Sequence, residues 1–157
     1  MRAFVFIADG ARYAVDAACV EAVHPLVRAR PVPGAPPWLA GVIDVHGEFV
    51  PMVDAVALMR GSGSVRPTLG ARVMLLDTGI GTGPRARFAL AVDRVLDAAT
   101  LDDDGAWRAG AGAVAWLGSV VQHAGHAVQR FEPASLAEAH RQLAAPAAVH
   151  APGKALP

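Results

Sequence analysis

Residues 38–54 read WLAGVIDVHGEFVPMVD, two apolar runs separated by a short polar turn. The turn, His46-Gly47-Glu48, contains a glycine, which accepts a positive φ without the steric cost of a Cβ atom. Apolar runs on both sides of such a turn predict a β-hairpin. Pro51 has no N–H to donate, so we expect its strand at a sheet edge or at a bulge. The stretch therefore predicts a hairpin that offers side chains and backbone for binding.

The composition limits the function classes. The chain has 157 residues, of which 54% are hydrophobic and 18% charged, with 14 basic and 14 acidic side chains. This length fits one domain or two small lobes, and the balanced charge gives no field that would attract nucleic acid or an anionic membrane. A single cysteine, Cys19, excludes an internal disulfide and fits a reducing compartment. We expect a cytoplasmic protein with no nucleic-acid partner.

One uncharged stretch, residues 109–129, is long enough to span a bilayer. Its glutamine, histidine and glycine residues interrupt it as a turn would, so two short strands explain it better. The sequence therefore predicts no direct membrane insertion.

Short apolar segments bounded by Gly, Pro or Asp recur along the whole chain. About ten strands are expected, with a hairpin at Asp9-Gly10 and caps of short helical turns at Asp16 and Asp54. Leu136 and Leu143 mark the apolar face of a C-terminal helix over 134–144. This pattern predicts an all-β protein, either one barrel or a pair of barrels, and the two halves of the chain are alike in plan.

The expected organisation is a single domain over residues 1–145, followed by a flexible tail at 146–157. Gly61-Ser62-Gly63-Ser64 is a flexible connection, so the two lobes are expected to meet near 61–70.

Asp77-Thr78-Gly79 follows an apolar strand, as the catalytic triplet of aspartic proteases does. In a dimer, two such carboxylates would share one proton. The glycine-rich loop that follows also fits an ordinary hairpin. A dimeric aspartic protease is therefore one alternative function, and a generic β-barrel ligand-binding protein is another.

Other polar clusters lack the geometry that chemistry needs. His123 and His126 flank a turn with no carboxylate nearby, and Asp102-Asp103-Asp104-Gly105 lacks the spaced ligands of a calcium loop. The residues predict no catalytic site, no metal site and no cofactor.

The order of several segments resembles the CheW-like adaptor family of bacterial chemosensory systems. These segments are YAVD at 13–16, VPGAP at 32–36, GVIDVHG at 41–47, VPMVD at 50–54, ALAVDRV at 89–95 and the closing stretch 118–136. The resemblance covers residues 3–137. The wording VDA at 15–17, PGAP at 33–36 and WLAG at 38–41 is most similar to the Wsp-type branch, which is associated with surface sensing and biofilm control.

The resemblance implies two five-stranded β-barrel lobes on a shared core, and no catalysis. It implies two partners: the regulatory domain of a CheA-type histidine kinase, and the cytoplasmic tip of a chemoreceptor. Through them the protein would be associated with membrane-bound receptor arrays. An exposed strand edge would dock the kinase, and a groove between the lobes would take the helical hairpin of the receptor.

Carried over by position, the resemblance implies a protein interface. Val20 takes the place of an apolar receptor contact, Ala22 that of a frequent Glu, and His46 and Val56 those of two Arg residues. An Arg supplies a planar fork of donors that His lacks, so these departures imply an altered partner set. The expected interface residues are Val20, Glu21, Ala22, Val42, Val45, His46, Gly47, Glu48 and Val56.

Overall fold

The computed structural model of the protein describes residues 1–79, 85–108 and 114–143. These residues form ten strands and two short helices, α1 (Ala55–Arg60) and α2 (Pro133–Ala139). The strands are β1 (Arg2–Ala8), β2 (Ala11–Asp16), β3 (Val20–Pro25), β4 (Leu39–Val45), β5 (Glu48–Asp54), β6 (Arg72–Asp77), β7 (Arg87–Val92), β8 (Arg94–Thr100), β9 (Leu117–His123) and β10 (His126–Phe131). The expected tail at 146–157 lies outside the described residues.

The strands form two five-stranded sheets with the same internal plan. One has the order β8-β1-β2-β10-β9 and the other β3-β6-β7-β5-β4. We call them the terminal lobe and the central lobe. Among the described strands, the two edge strands of neither sheet form a ladder with each other, so the expected closed barrels are open sheets. The all-β class and the two five-stranded lobes are confirmed.

The chain passes between the lobes after β2 and again at Asp93, between β7 and β8. The stretch 61–70 connects α1 to β6 within the central lobe, and its end lies beside the terminal lobe, because Leu69 and Gly70 line a cavity together with Arg94 and Val95. Gly61 ends α1 with a φ of 87°, and Asp54 caps its start by accepting a hydrogen bond from the Ala57 N–H at 3.0 Å. Gly61 therefore ends this helix in the conformation that glycine favours, and the domain bounds stay a prediction.

The two lobes contain an internal structural repeat. Equal numbers of residues separate Trp38 from Trp116, Gly47 from Gly125, and Asp54 from Glu132. In each lobe the tryptophan carbonyl accepts a hydrogen bond at 2.8 Å from the backbone N–H of the later acidic residue. The hairpins β4–β5 and β9–β10 are therefore equivalent elements.

Pro51 does not lie on an edge strand, because β5 is flanked by β4 and β7. The parallel ladder with β7 begins only at Met52, one residue after the proline. Pro51 therefore needs no donor on that side, and the register shift of the hairpin lies in β4, between Leu39 and Gly41.

A shared core joins the lobes. Phe6 of the terminal lobe is completely buried, stacks on Tyr13 and meets Phe131 edge-on, in the same cluster as Phe88 and Leu90 of the central lobe. A smaller cluster lies on the other face of the terminal sheet, around Val5, Val121 and Val128. Side chains on both faces of this sheet are therefore buried, and the face that carries Phe6 couples its stability to that of the central lobe.

The C-terminal segment packs on the shared core. Leu136 in α2 and Leu143 beyond it are completely buried, although the helix ends at Ala139, earlier than the sequence pattern indicates. The His140 ring lies 4.6 Å from that of Trp38 and 5.6 Å from that of Trp116. One histidine therefore contacts equivalent tryptophans of both lobes.

Candidate functional site

The turn between β4 and β5 has the geometry that the sequence predicts. His46 and Gly47 both have positive φ, 52° and 85°, and Val45 pairs with Glu48 across them. Two residues with positive φ form the primed turn that matches the twist of a hairpin. Asp44 holds the turn, since its Oδ1 accepts the Gly47 N–H at 2.7 Å. The tip thus presents a fixed surface.

An apolar groove lies beside this hairpin, between β3 and β4, which are the two edge strands of the central lobe. Its volume is about 480 Å³. The groove is lined by His24, Pro25, Val27, Ile43, Asp44, Val45, His46 and Val73. An edge strand with apolar side chains around it is a surface on which another protein can dock.

The chain beyond β3 closes part of the gap between these edges. Arg30 donates its N–H to the Val42 carbonyl at 2.8 Å and accepts the Val42 N–H at 3.0 Å. This approach requires Gly41, because a Cβ there would lie 2.0 Å from the Arg30 oxygen. The close approach of the Arg30 backbone therefore explains why the WLAG segment has a glycine at position 41.

Charged side chains connect β3, β7 and β5 across the sheet. Arg87 donates from Nε and Nη2 to the two carboxylate oxygens of Glu21, at 2.9 and 3.0 Å, and from Nη1 to Glu48 at 2.7 Å. Only 17% of the Arg87 side chain is exposed. The hydrogen bond to Glu21 is the main cause that raises the pKa of Arg87 above its usual value. We call these three residues the Glu21–Arg87–Glu48 network.

Asp77 lies beside this network, close enough for its charge to act on Arg87, and pairs with a second arginine. Its carboxylate pairs with Arg85 at 3.0 Å and accepts the Gly79 N–H at 2.8 Å. The Arg85 hydrogen bond holds the pKa of Asp77 below its usual range. In a protease pair each catalytic carboxylate faces the other and shares a proton with it, so an Asp whose carboxylate is paired with an arginine argues against that alternative.

The structure brings most of the expected interface residues to one part of the central lobe. His46 and Gly47 are exposed at the tip, Val42 and Val45 are half-buried in β4, and Glu21 and Glu48 belong to the network. Val20 and Ala22 are half-buried at the start of β3 and pack against the core.

Val56 is the exception, because it is only 5% exposed and lies in α1 among the core side chains. Little of its side chain is therefore free for a partner, and its role as an interface residue stays a prediction. The residue follows the Asp54 cap, where the first turn of α1 faces inward.

Sequence reasoning missed two residues of this surface. Phe49 is 72% exposed, next to Glu48 on the hairpin. The alternation of a strand gives a signal for it, because Val50 is buried and its neighbour must face outward. Arg87 left no local signal, since Glu21 and Glu48 come from distant parts of the chain.

The described residues define a class of protein with two β lobes and an apolar groove beside an edge strand. Within them, no three acidic, histidine or cysteine side chains come together to hold a metal ion. None of their helices has the length and apolar character needed to cross a bilayer.

The comparisons with known proteins give the family. The model of the CheW-like domain matches residues 2–140, so the chain belongs to the CheW-like family. Proteins of this family are non-catalytic scaffolds in chemotaxis signal transduction.

A solved structure has the same fold. The crystal structure of the scaffolding protein TtCheW from Thermoanaerobacter tengcongensis is similar with a TM-score of 0.69 and 18% identity, covering 83% of this chain and 88% of that chain. The search among curated proteins found no match.

Proposed function

We propose that this protein couples a methyl-accepting chemoreceptor to a CheA-type histidine kinase, as an adaptor in a cytoplasmic signalling array beneath the membrane. The observation that carries the proposal is the apolar groove beside the exposed hairpin, in a chain of the CheW-like family. Assignment to the Wsp-type branch stays a prediction.

The kinase contact is assigned to the hairpin and the groove. Phe49, which is 72% exposed, supplies a large apolar anchor, and Val45 joins the hairpin to the groove. Aromatic anchors that enter a partner pocket dominate binding energy at interfaces. The regulatory domain of the kinase is the partner that we assign to this surface.

The receptor contact is assigned to the region where the chain enters the central lobe, at Val20 and Ala22. Leu69, 99% exposed, also lines a cavity of about 650 Å³ between Arg72 of the central lobe and Arg94 of the terminal lobe. We expect apolar anchors of a receptor helix to contact Val20, which pairs with Leu76 near one end of β6, and Leu69, which precedes the other end of that strand. Each contact is small, so strength would come from many copies in an array.

Co-purification from cells that contain native receptors tests this proposal. We expect His46→Glu and Val20→Asp to reduce the captured histidine kinase or receptor at least fivefold, since one places a charge on the tip and the other puts one into an apolar contact. Circular dichroism would verify that Val20→Asp, at a half-buried site, remains folded.

The chain offers a matched control for the tip. Ala124 has a φ of 50° and occupies the equivalent turn position of the terminal lobe, so Ala124→Glu adds a charge to the same backbone geometry. This control should leave capture unchanged. Equal capture by His46→Glu, Val20→Asp and the wild type would contradict the proposed contacts, and absence of any kinase from the wild-type sample would contradict the function.

A further inference from the structure

We propose that Arg87 is a positioning residue, which holds the start of β3 and the tip of the β4–β5 hairpin as one preorganised docking surface. This inference rests on the proposed function, because it concerns the segments assigned there to the two partners. It adds a residue that lies between these segments in the sheet.

The sheet order shows why a connection is needed. β3 and β5 are not neighbours, since β6 and β7 lie between them. These strands are connected only through the ladders with β6 and β7, so no direct backbone ladder between the described strands β3 and β5 fixes the Glu21 side chain relative to Glu48. Arg87, on β7, makes hydrogen bonds to both carboxylates and is the link between these two segments.

The backbone of β3 directs Glu21 toward this link. The β3–β6 register shifts between Val20 and Ala22, which places Glu21 at a bulge. A bulge changes the direction of a side chain and ends regular pairing locally. Glu21 needs a partner outside the ladder to hold its position, and the Arg87 guanidinium supplies one.

The chemistry requires an arginine. A planar guanidinium can donate two parallel bonds to one carboxylate and a third bond to another, whereas a lysine ammonium is a compact charge without this fork. Without Arg87, Glu21 and Glu48 would be two like charges at the edge of the docking surface. Their repulsion would separate the two segments, and a partner would have to order them again on binding.

Arg85 offers a matched control. It lies two residues before Arg87 and is also paired with a carboxylate, but its partner Asp77 belongs to the neighbouring strand β6. Its side chain is 64% exposed, against 17% for Arg87. Removing Arg85 deletes the same charge, which also acts on Glu21, but leaves the three hydrogen bonds from Arg87 in place.

The first experiment measures binding by titration calorimetry, with a purified CheA-type regulatory domain and a soluble chemoreceptor tip. We expect Arg87→Gln to weaken the binding of the regulatory domain about tenfold and Arg87→Lys to weaken it less, because a single charge without the fork holds one carboxylate at a time. Arg85→Gln should stay within about twofold of the wild type. Adding Glu21→Gln and Glu48→Gln to Arg87→Gln should restore part of the affinity, since it removes the repulsion.

The second experiment measures amide hydrogen exchange of the full-length chain without partners. Arg87→Gln should speed exchange at residues 45–49 and 20–22, while exchange in the shared core around Phe88 stays as in the wild type. Arg85→Gln should leave residues 45–49 unchanged. A merely structural role would instead speed exchange throughout the central lobe.

The outcomes separate this inference from the proposed function. If the wild type binds neither partner, the proposed function fails, and the exchange data still decide whether Arg87 positions the two segments. If the wild type binds and Arg87→Gln binds equally well, the inference is overturned and the function stands. Exchange at 45–49 that is unaffected by Arg87→Gln also overturns it.

Discussion

The central and terminal lobes share one strand order and one hairpin geometry, but different side chains line the gap between their edge strands. In the central lobe the lining includes Ile43, Val45 and Val73. The corresponding cavity of the terminal lobe, about 380 Å³, combines apolar side chains with three charged ones and a histidine, namely Arg12, Arg94, Asp97 and His123. The same fold is therefore compatible with an apolar or a more polar cavity between its edge strands. The apolar cavity belongs to the central lobe, to which we assign docking.

The positions match closely enough to compare single residues. Val45 and His123 are the last residues of β4 and β9, each followed by a two-residue turn with positive φ, and both are half-buried. One is apolar and the other is polar at the same place in the repeat. Substitutions at these two equivalent positions have similar backbone geometry, so a difference between their effects on binding reports on the chemistry of the side chains.

The largest expected effect tests whether the lobes are separate at all. Phe6→Ala removes a completely buried ring from the core that joins them, so we expect about 3–5 kcal/mol less stability and one cooperative transition. Guanidinium denaturation, followed by tryptophan fluorescence and circular dichroism, measures this loss. Ile7→Ala, at a half-buried neighbour, is the control with a smaller loss. Two separate transitions in Phe6→Ala would show that the lobes unfold independently.

The next largest effect compares the cavities of the two lobes through their contribution to binding. Val45→Asp places a charge in the apolar groove and should weaken the capture of the kinase regulatory domain about tenfold. His123→Asp makes the same change in the terminal lobe and should alter capture less than twofold. Equal losses for both variants would contradict the assignment of docking to one lobe.

A smaller effect tests the link between the lobes at His140. His140→Ala removes ring contacts with Trp38 and Trp116, so we expect a loss of about 1 kcal/mol and a change in tryptophan emission. Urea denaturation gives the free energy. The exposed His126→Ala serves as a comparison, and an unchanged unfolding midpoint for His140→Ala would show that the ring contacts contribute nothing.

The smallest effect depends on pH. Because Arg85 lowers the pKa of Asp77 in the folded state, their pairing stabilises the protein above the ordinary Asp pKa of about 3.9. That stabilisation is lost as the pH falls through the lower, folded-state value. Thermal unfolding should show Arg85→Ala slightly below the wild type at neutral pH and equal to it once Asp77 is protonated. A difference that persists in strong acid would mean that Arg85 stabilises by another route.

Local features of the fold were predictable from the sequence. Asp9-Gly10 and His46-Gly47 adopt the turns that their residue types favour, and Asp54 caps α1 as expected. These features depend on φ preferences and on hydrogen bonds between residues a few positions apart. The two-lobe plan follows from the resemblance to the CheW-like family, since the spacing of the short apolar segments fits one barrel as well as two.

For most of the candidate site, the sequence predicts which segments take part but not which of their side chains are exposed. The hairpin tip and the start of β3 were expected as interface segments, and the structure brings them to the same lobe. The burial of Val56 and the exposure of Phe49 were not expected, because the orientation of α1 and β5 depends on what packs against them. The location of Pro51 inside the sheet followed from its pairing with β7, which lies far along the chain.

The sequence by itself determined the turns, the caps and the number of strands, because these depend on short-range sterics and hydrogen bonding. Only the tertiary structure decided which strands became edges, where the chain crosses between lobes and which carboxylates share Arg87. Those outcomes depend on contacts between residues such as Glu21 and Arg87, which are 66 positions apart. No local pattern carries that information, since the pairing exists only after the sheet has assembled.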